Sequence, residues 1–196
     1  MTARSRFTAF TLLIVAATTL LVGLPPAARA QGRSSEAALI LRILSYDRNL
    51  RGRASQHVTV LVLYKSGDGA SESARSNIVR SINEIGRGVT VGGLPARAVD
   101  HSFTDSTALV RAARSVGAAA VFVCPGLSAS NSQIAQATRR ASLLSITQDE
   151  GSVRAGLSVG IVRSGSRLRL VVNVNAARSE GARLDAALLR LAQVVR

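Results

Sequence analysis

Cysteine occurs once in these 196 residues, at Cys124, tryptophan is absent, and two tyrosines and four phenylalanines are the only aromatic rings. A lone cysteine excludes an internal disulfide framework. Two histidines and one cysteine at unrelated spacings give no metal-ligand pattern. With aromatics at 3% of the chain there is little on which to stack bases, so no nucleic-acid partner is expected. Acidic residues are scarce as well, 11 against 25 basic ones, and no two carboxylates stand where acid–base chemistry would place them. Asp149-Glu150, in a polar stretch before Gly151, reads as a solvated turn. Lysine is nearly missing too: every basic residue except Lys65 is arginine.

Long apolar runs are confined to the first thirty residues. Arg4 and Arg6 precede the run Phe7 to Leu24, Pro25-Pro26 breaks it, and Ala28-Arg29-Ala30 sets small residues around a cleavage point before Gln31. This is the pattern of a secretory signal peptide over residues 1–30. A retained anchor is the competing reading, because a bilayer needs roughly 20 apolar residues, but Thr8, Thr11, Thr18, Thr19 and Gly23 dilute the run. The remaining chain, 31–196, is expected to be one domain in the periplasm. Without Arg4, Arg6 and Arg29 the 25 basic residues become 22 against 11 acidic, a balance of about +11 that suits an anionic surface or ligand.

What is present is a regular alternation of strand and helix signals. Ser34 or Ser35 is placed to cap a first helix, with Glu36 at its positive end and Leu39, Ile40, Ile43 and Leu44 on its apolar face. That helix is expected to reach Leu50 to Gly52. His57 to Tyr64 and Ala118 to Val123 are aliphatic runs of the kind buried on both faces of a parallel sheet. Between them come a helix from Ser71 to Ile85, short strands at Val89 to Val91 and Ala96 to Phe103, and a helix opened by Asp105 and stopped by Gly117. A helix over 130–141 and a strand over Leu143 to Thr147 follow. Leu157, Val159 and Ile161, then Leu168, Leu170, Val172 and Val174, alternate around a turn at 163–166 and predict a hairpin. Ala176-Ala177-Arg178 opens a helical turn closed at Gly181, and Leu184, Leu188, Leu191, Ala192 and Val195 make a final helical stripe. The fold class is therefore α/β: a single domain, a mixed, mostly parallel sheet with helices on its faces, and a C-terminal antiparallel hairpin plus helix.

Candidates for chemistry are few. Lys65-Ser66-Gly67-Asp68-Gly69 joins a strand to a helix, where backbone amides can cradle a phosphate. The third glycine of a dinucleotide fingerprint is replaced by Glu72 and Asp68 would repel an anion, so plain turn chemistry is expected. Cys124-Pro125-Gly126 follows a buried strand at the carboxyl edge. A thiolate there needs a base, yet His57 belongs at the opposite edge and no spacing brings His101 near. Cys124 is expected to be buried and inert, or else an interchain bridge. No catalytic residue, cofactor or metal site is assigned.

The closing strand with its terminal Asn173-Val174-Asn175, the Ala176-Ala177-Arg178 turn, Gly181 and the expected Leu188 to Val194 helix resemble the end of the YfiR-like family of small secreted bacterial proteins. Ile43-Leu44-Ser45-Tyr46-Asp47-Arg48 is similar to that family's opening helix. The resemblance implies a periplasmic protein that holds a membrane-bound diguanylate cyclase inactive by touching its outer portion, so that release raises cyclic di-GMP. Asn49-Leu50 stands where the family has an aromatic and a proline, and the single Cys124 departs from members with internal disulfides. The alternative is a periplasmic small-ligand (anion) binding component, since the layout also resembles one lobe of a transport binding protein. That reading places a pocket at the carboxyl edges of His57–Tyr64 and Ala118–Val123. Partner contacts are unassigned and homodimerisation is left open.

Overall fold

The computed structural model describes residues 26–165 and 167–195. The expected signal peptide therefore lies mostly outside the described residues, and Pro26–Ala30 form the start of the first helix. Helix α1 (Pro26–Ser45) leads to a short α2 (Leu50–Arg53), then β1 (Val58–Tyr64), α3 (Gly69–Ile85), β2 (Thr90–Val91), β3 (Leu94–Ser102), α4 (Ser106–Val116) and β4 (Ala118–Val123). After a 3-10 turn at Ser128–Ser130 come α5 (Asn131–Ala141), β5 (Leu144–Thr147), α6 (Glu150–Arg154), β6 (Val159–Ser164), β7 (Arg167–Asn173), α7 (Val174–Ser179), α8 (Ala186–Leu191) and β8 (Ala192–Val195).

The strands form one eight-stranded sheet in the order β2-β3-β1-β4-β5-β6-β7-β8. Neighbours from β3 to β6 are parallel, β2 and β7 run antiparallel to β3 and β6, and β8 lies parallel to β7. β1 is followed in space by β3 on one side and β4 on the other. Right-handed crossovers running in opposite directions must put their helices on opposite faces. Accordingly α3 packs beside α1 over Val60, Val62, Ala120, Phe122 and Ile146, and α4 and α5 pack over Leu61, Leu63, Val121 and Val123. β1 and β4 are buried on both sides, as their unbroken aliphatic runs require.

Several boundaries are set by single side chains. Asp105 accepts hydrogen bonds from the amides of Thr107 and Ala108, both at 2.8 Å, and caps α4; Gly117, at φ +61°, ends it in the left-handed conformation that an L side chain resists. Asp47 breaks the opening helix. Its Oδ1 accepts from the amides of Asn49 (3.0 Å) and Arg183 (2.8 Å) and its Oδ2 from the Arg53 guanidinium, so the backbone leaves the helix to meet a competing acceptor.

Four expectations are corrected. Ser34 and Ser35 lie inside α1, which starts at Pro26, and Glu36 is no N-terminal residue: it is buried, and Gln148 Nε2 donates to both its oxygens at 2.7 and 2.9 Å. The opening helix stops at Ser45, before Leu50 to Gly52. Asp149-Glu150 is a helix start, where Asp149 accepts from the amides of Gly151 and Ser152 and Glu150 pairs with Arg154 and Arg169. The final helical stripe ends at Leu191, and Ala192–Val195 become an edge strand, because the free edge of β7 offers four residues of pairing to a segment whose side chains fit either period.

Candidate functional site

In an open α/β sheet the place to look is the crevice beyond the carboxyl ends of the two strands where the order reverses. Here these are β1 and β4, followed by Lys65–Gly69 and Cys124–Gly126, so both sequence candidates meet at one point. The first loop spends its donors on its own side chains. The Ser71 amide donates to Asp68 Oδ1 at 2.9 Å, the Gly67 amide to Glu72 Oε1 at 3.0 Å, and the Lys65 amide to Ser71 Oγ at 2.8 Å. The second loop closes on the first: Gly126 has φ +85°, and a Cβ there would stand 2.9 Å from Asp68 Oδ2. Two carboxylates and a backbone contact thus fill the position a bound anion would need. Beside it, Gly69, Glu72, Ser73, Arg75, Ser76 and Asn77 line an open depression on α3, in which Arg75 lies 4.8 Å above the Tyr64 ring and donates to Asp100 Oδ2 at 3.1 Å.

Cys124 is buried, and desolvation, with the nearby Glu36 charge adding to it, pushes its thiol up to about 12. Such a sulfur stays protonated at neutral pH and is a poor nucleophile. His57 precedes β1 at the amino edge. His101 sits on β3 in register with Leu63, whose side chain belongs to the α4–α5 face, whereas Cys124 belongs to the α1–α3 face. The three residues weighed for nucleophilic chemistry are held apart by the sheet itself.

Two features escaped the sequence reading. Glu180 is wholly buried at the end of α7, where its carboxylate accepts from Thr138 Oγ1 (2.6 Å), the Ser145 amide (2.8 Å), Ser145 Oγ (2.7 Å) and Ser158 Oγ. Burial raises this carboxyl above its ordinary range, ahead of the lowering effect of those bonds. The Arg53 guanidinium, which donates to the carbonyls of Ala119 (2.7 Å) and Ser142 (3.2 Å) as well as to Asp47, is brought down to about 10 by burial, opposed by the Glu180 charge. A polar tie thus runs beneath α2, α5 and α7. The second feature is the sheet edge. β8 pairs on one side only, Leu191 is 70% and Val194 46% exposed, and a groove beside them is lined by Leu39, Leu168, Leu170 and Leu191 with Arg167 and Arg169. An unpaired strand edge next to exposed leucine and valine can receive a strand from another protein.

Fold and surface define the class: one open α/β sheet covered on both faces, with exposed apolar side chains, among the described residues, on an edge rather than in a cleft. The chain belongs to the YfiR/HmsC-like family, whose model matches residues 33–193. No functionally curated protein matches it. Among solved structures it is similar to a conserved domain protein from Vibrio cholerae (TM-score 0.60, 14% identity, 84% of this chain and 60% of that one). It is also similar to an ABC domain in complex with L-Trp from Streptococcus pneumonia (TM-score 0.54, 11% identity, 78% and 60%). A third likeness is to the ligand-free, open form of a substrate binding protein with adhesive properties from Clostridium difficile (TM-score 0.53, 14% identity, 76% and 57%). At these identities the likeness is one of fold, and the chain spans 57–60% of the length of the three structures.

Proposed function

We propose that this protein is a non-catalytic periplasmic regulator that docks on the outer portion of a membrane-anchored signalling protein and restrains it, the restrained activity being that of a diguanylate cyclase. Membership of the YfiR/HmsC-like family across 33–193 is the observation that carries the proposal, and the signal-peptide pattern of residues 1–30 supports export. Among the described residues no helix is long and apolar enough to cross a membrane. Restraint of this kind asks for a rigid body with a complementary surface and two populations, docked and free, that an envelope signal can shift. The unpaired edge of β8 with Leu191 and Val194 is such a surface.

Loss of the protein is expected to raise intracellular cyclic di-GMP. A photo-crosslinker at Leu191 in intact cells is expected to capture a membrane protein with an inner cyclase domain, and a Leu191→Lys variant to reproduce the loss phenotype while keeping its urea midpoint. Unchanged cyclic di-GMP in the deletion, or purified protein that turns over a substrate, would remove the proposal.

A further inference from the structure

The fold sorts charge between the two ends of the sheet. Helices α3, α4 and α5 begin at the carboxyl edge and end at the amino edge. Asp68, Asp105 and Asp149 cap the starts of α3, α4 and α6, and Glu72, Asp100 and Glu150 lie near the same edge. Lys65, Arg75, Arg163, Arg167 and Arg169 offset those acids at the same edge, whereas at the amino edge basic residues predominate. Arg51 lies on α2, Arg87 in the turn after α3, Arg97 near the start of β3, Arg114 in the last turn of α4, and Arg139 and Arg140 in the last turn of α5. All six are exposed, and Arg178 and Arg183, exposed near the end of α7, continue the series.

These positions form one surface. Arg97 donates to the Val116 carbonyl at 3.1 Å, Arg53 reaches the carbonyls of Ala119 and Ser142, Arg139 reaches that of Gly156 at 3.5 Å, and the Arg48 amide donates to the Arg183 carbonyl at 2.9 Å. The acids of that end are mostly spent internally: Asp47 on Arg53, Asp185 on Arg48, and Glu180 in the core. Exposed Glu84 is the exception among the described residues. Complementing a helix dipole accounts for a cation at the end of each helix. It does not account for Arg87, Arg97 or Arg183, which lie outside helices.

From this we infer that the amino edge of the sheet is a docking face for an anionic phospholipid surface, which would hold the body against the membrane with its carboxyl edge turned away. A bilayer fits better than an acidic protein face because the arginines are spread across the ends of successive strands instead of converging on a pocket. Laterally mobile headgroups can gather under such a band without matched geometry, and guanidinium groups pair well with phosphate. Exposed Val89, at 49%, adds an apolar contact beside Arg87. The inference does not depend on the identity of any protein partner.

The test is co-sedimentation of the full chain with vesicles of phosphatidylcholine and with vesicles half phosphatidylglycerol, read as the difference between the two, in which apolar contributions cancel, and compared between chains that all carry Arg4, Arg6 and Arg29. Arg51, Arg87, Arg114 and Arg140 make no side-chain hydrogen bond among the described residues, so changing all four to Gln should leave the fold intact, as thermal unfolding will report. That variant is expected to lose about tenfold or more of the anionic preference, an effect that fades with salt. A control with the same net charge, Lys65→Gln, Arg163→Gln, Arg167→Gln and Arg169→Gln, is expected to lose at most about threefold because these exposed groups follow β1 or flank the β6–β7 turn at the carboxyl edge, away from the docking face. Equal losses in the two variants would reduce the effect to net charge and overturn the inference. So would wild-type binding with no preference for anionic vesicles, or capture of an acidic protein at the amino edge that vesicles fail to displace.

Discussion

Glu180 shows how one residue can tie separate parts of the chain together. Its four donors come from α5, β5 and the residue before β6, so removing the carboxylate strands a backbone amide and two serine hydroxyls in a dry site, while Thr138 Oγ1 keeps the Ala135 carbonyl. Glu180→Ala is expected to cost about 3 kcal/mol, read as a fall in the urea midpoint. Glu180→Gln keeps one oxygen for the Ser145 amide and presents an NH2 that the hydroxyls can accept from, and so should cost about 1 kcal/mol or less. The two variants also separate by pH. Burial raises the Glu180 carboxyl above its ordinary 4.5, so the folded protein holds this proton more tightly than the unfolded chain. Its contribution is fully present below about 4.5 and is lost as pH rises through the folded value. Lowering the pH from about 7 to about 5 should therefore stabilise wild type relative to Glu180→Gln. An unchanged difference would mean that the native carboxyl titrates normally. Nothing local marked this residue in the sequence, where Ser-Glu-Gly reads as an ordinary helix end; its partners are 22 to 42 positions away.

At the scale of elements, the most legible piece was α4 and the strand after it. Asp105 caps, Leu109 and Ala113 face the core, Gly117 stops, and Ala118–Val123 follows as a buried strand, all from signals within twenty residues. Gly117 is the stop because its backbone is left-handed, and a Cβ there would meet no atom within 4 Å. Gly117→Ala should thus cost about 1 kcal/mol through backbone strain alone. Gly52 also has open space around it but no positive φ, so Gly52→Ala should be neutral or slightly stabilising. Equal urea midpoints for the two variants would contradict this account. The last element was the least legible. Leu188, Leu191 and Val195 fit a helical stripe, and Ala192 to Val195 fit a strand equally well. Only the presence of β7 on one side decides between them.

For the whole molecule, the eight strands make one continuous sheet whose two faces are packed by helices from both ends of the chain. No boundary divides it into separately stable parts, so urea should unfold it in one transition. Cys124 supplies an internal reporter, since it is buried beyond the end of β4 with its thiol pushed up to about 12. Native-state labelling of Cys124 should give the same free energy as global unfolding. Labelling at the rate of a free thiol would show that the carboxyl edge opens locally.

The sequence by itself determined the parts whose causes are local: buried strands from unbroken aliphatic runs, the helix start at Asp105, and the hairpin from alternation around Gly165. It also excluded an internal disulfide for Cys124 and placed the basic residues along the chain without saying where they gather. Tertiary structure decided the rest. The reversal of strand order between β1 and β4 brought the loops after those strands into a closed contact, burial made Glu180 a core residue, and the direction shared by α3, α4 and α5 brought scattered arginines to one edge. These outcomes depend on which distant segments become neighbours, and a free energy of packing summed over the whole sheet, rather than any preference within a window of residues, selects them.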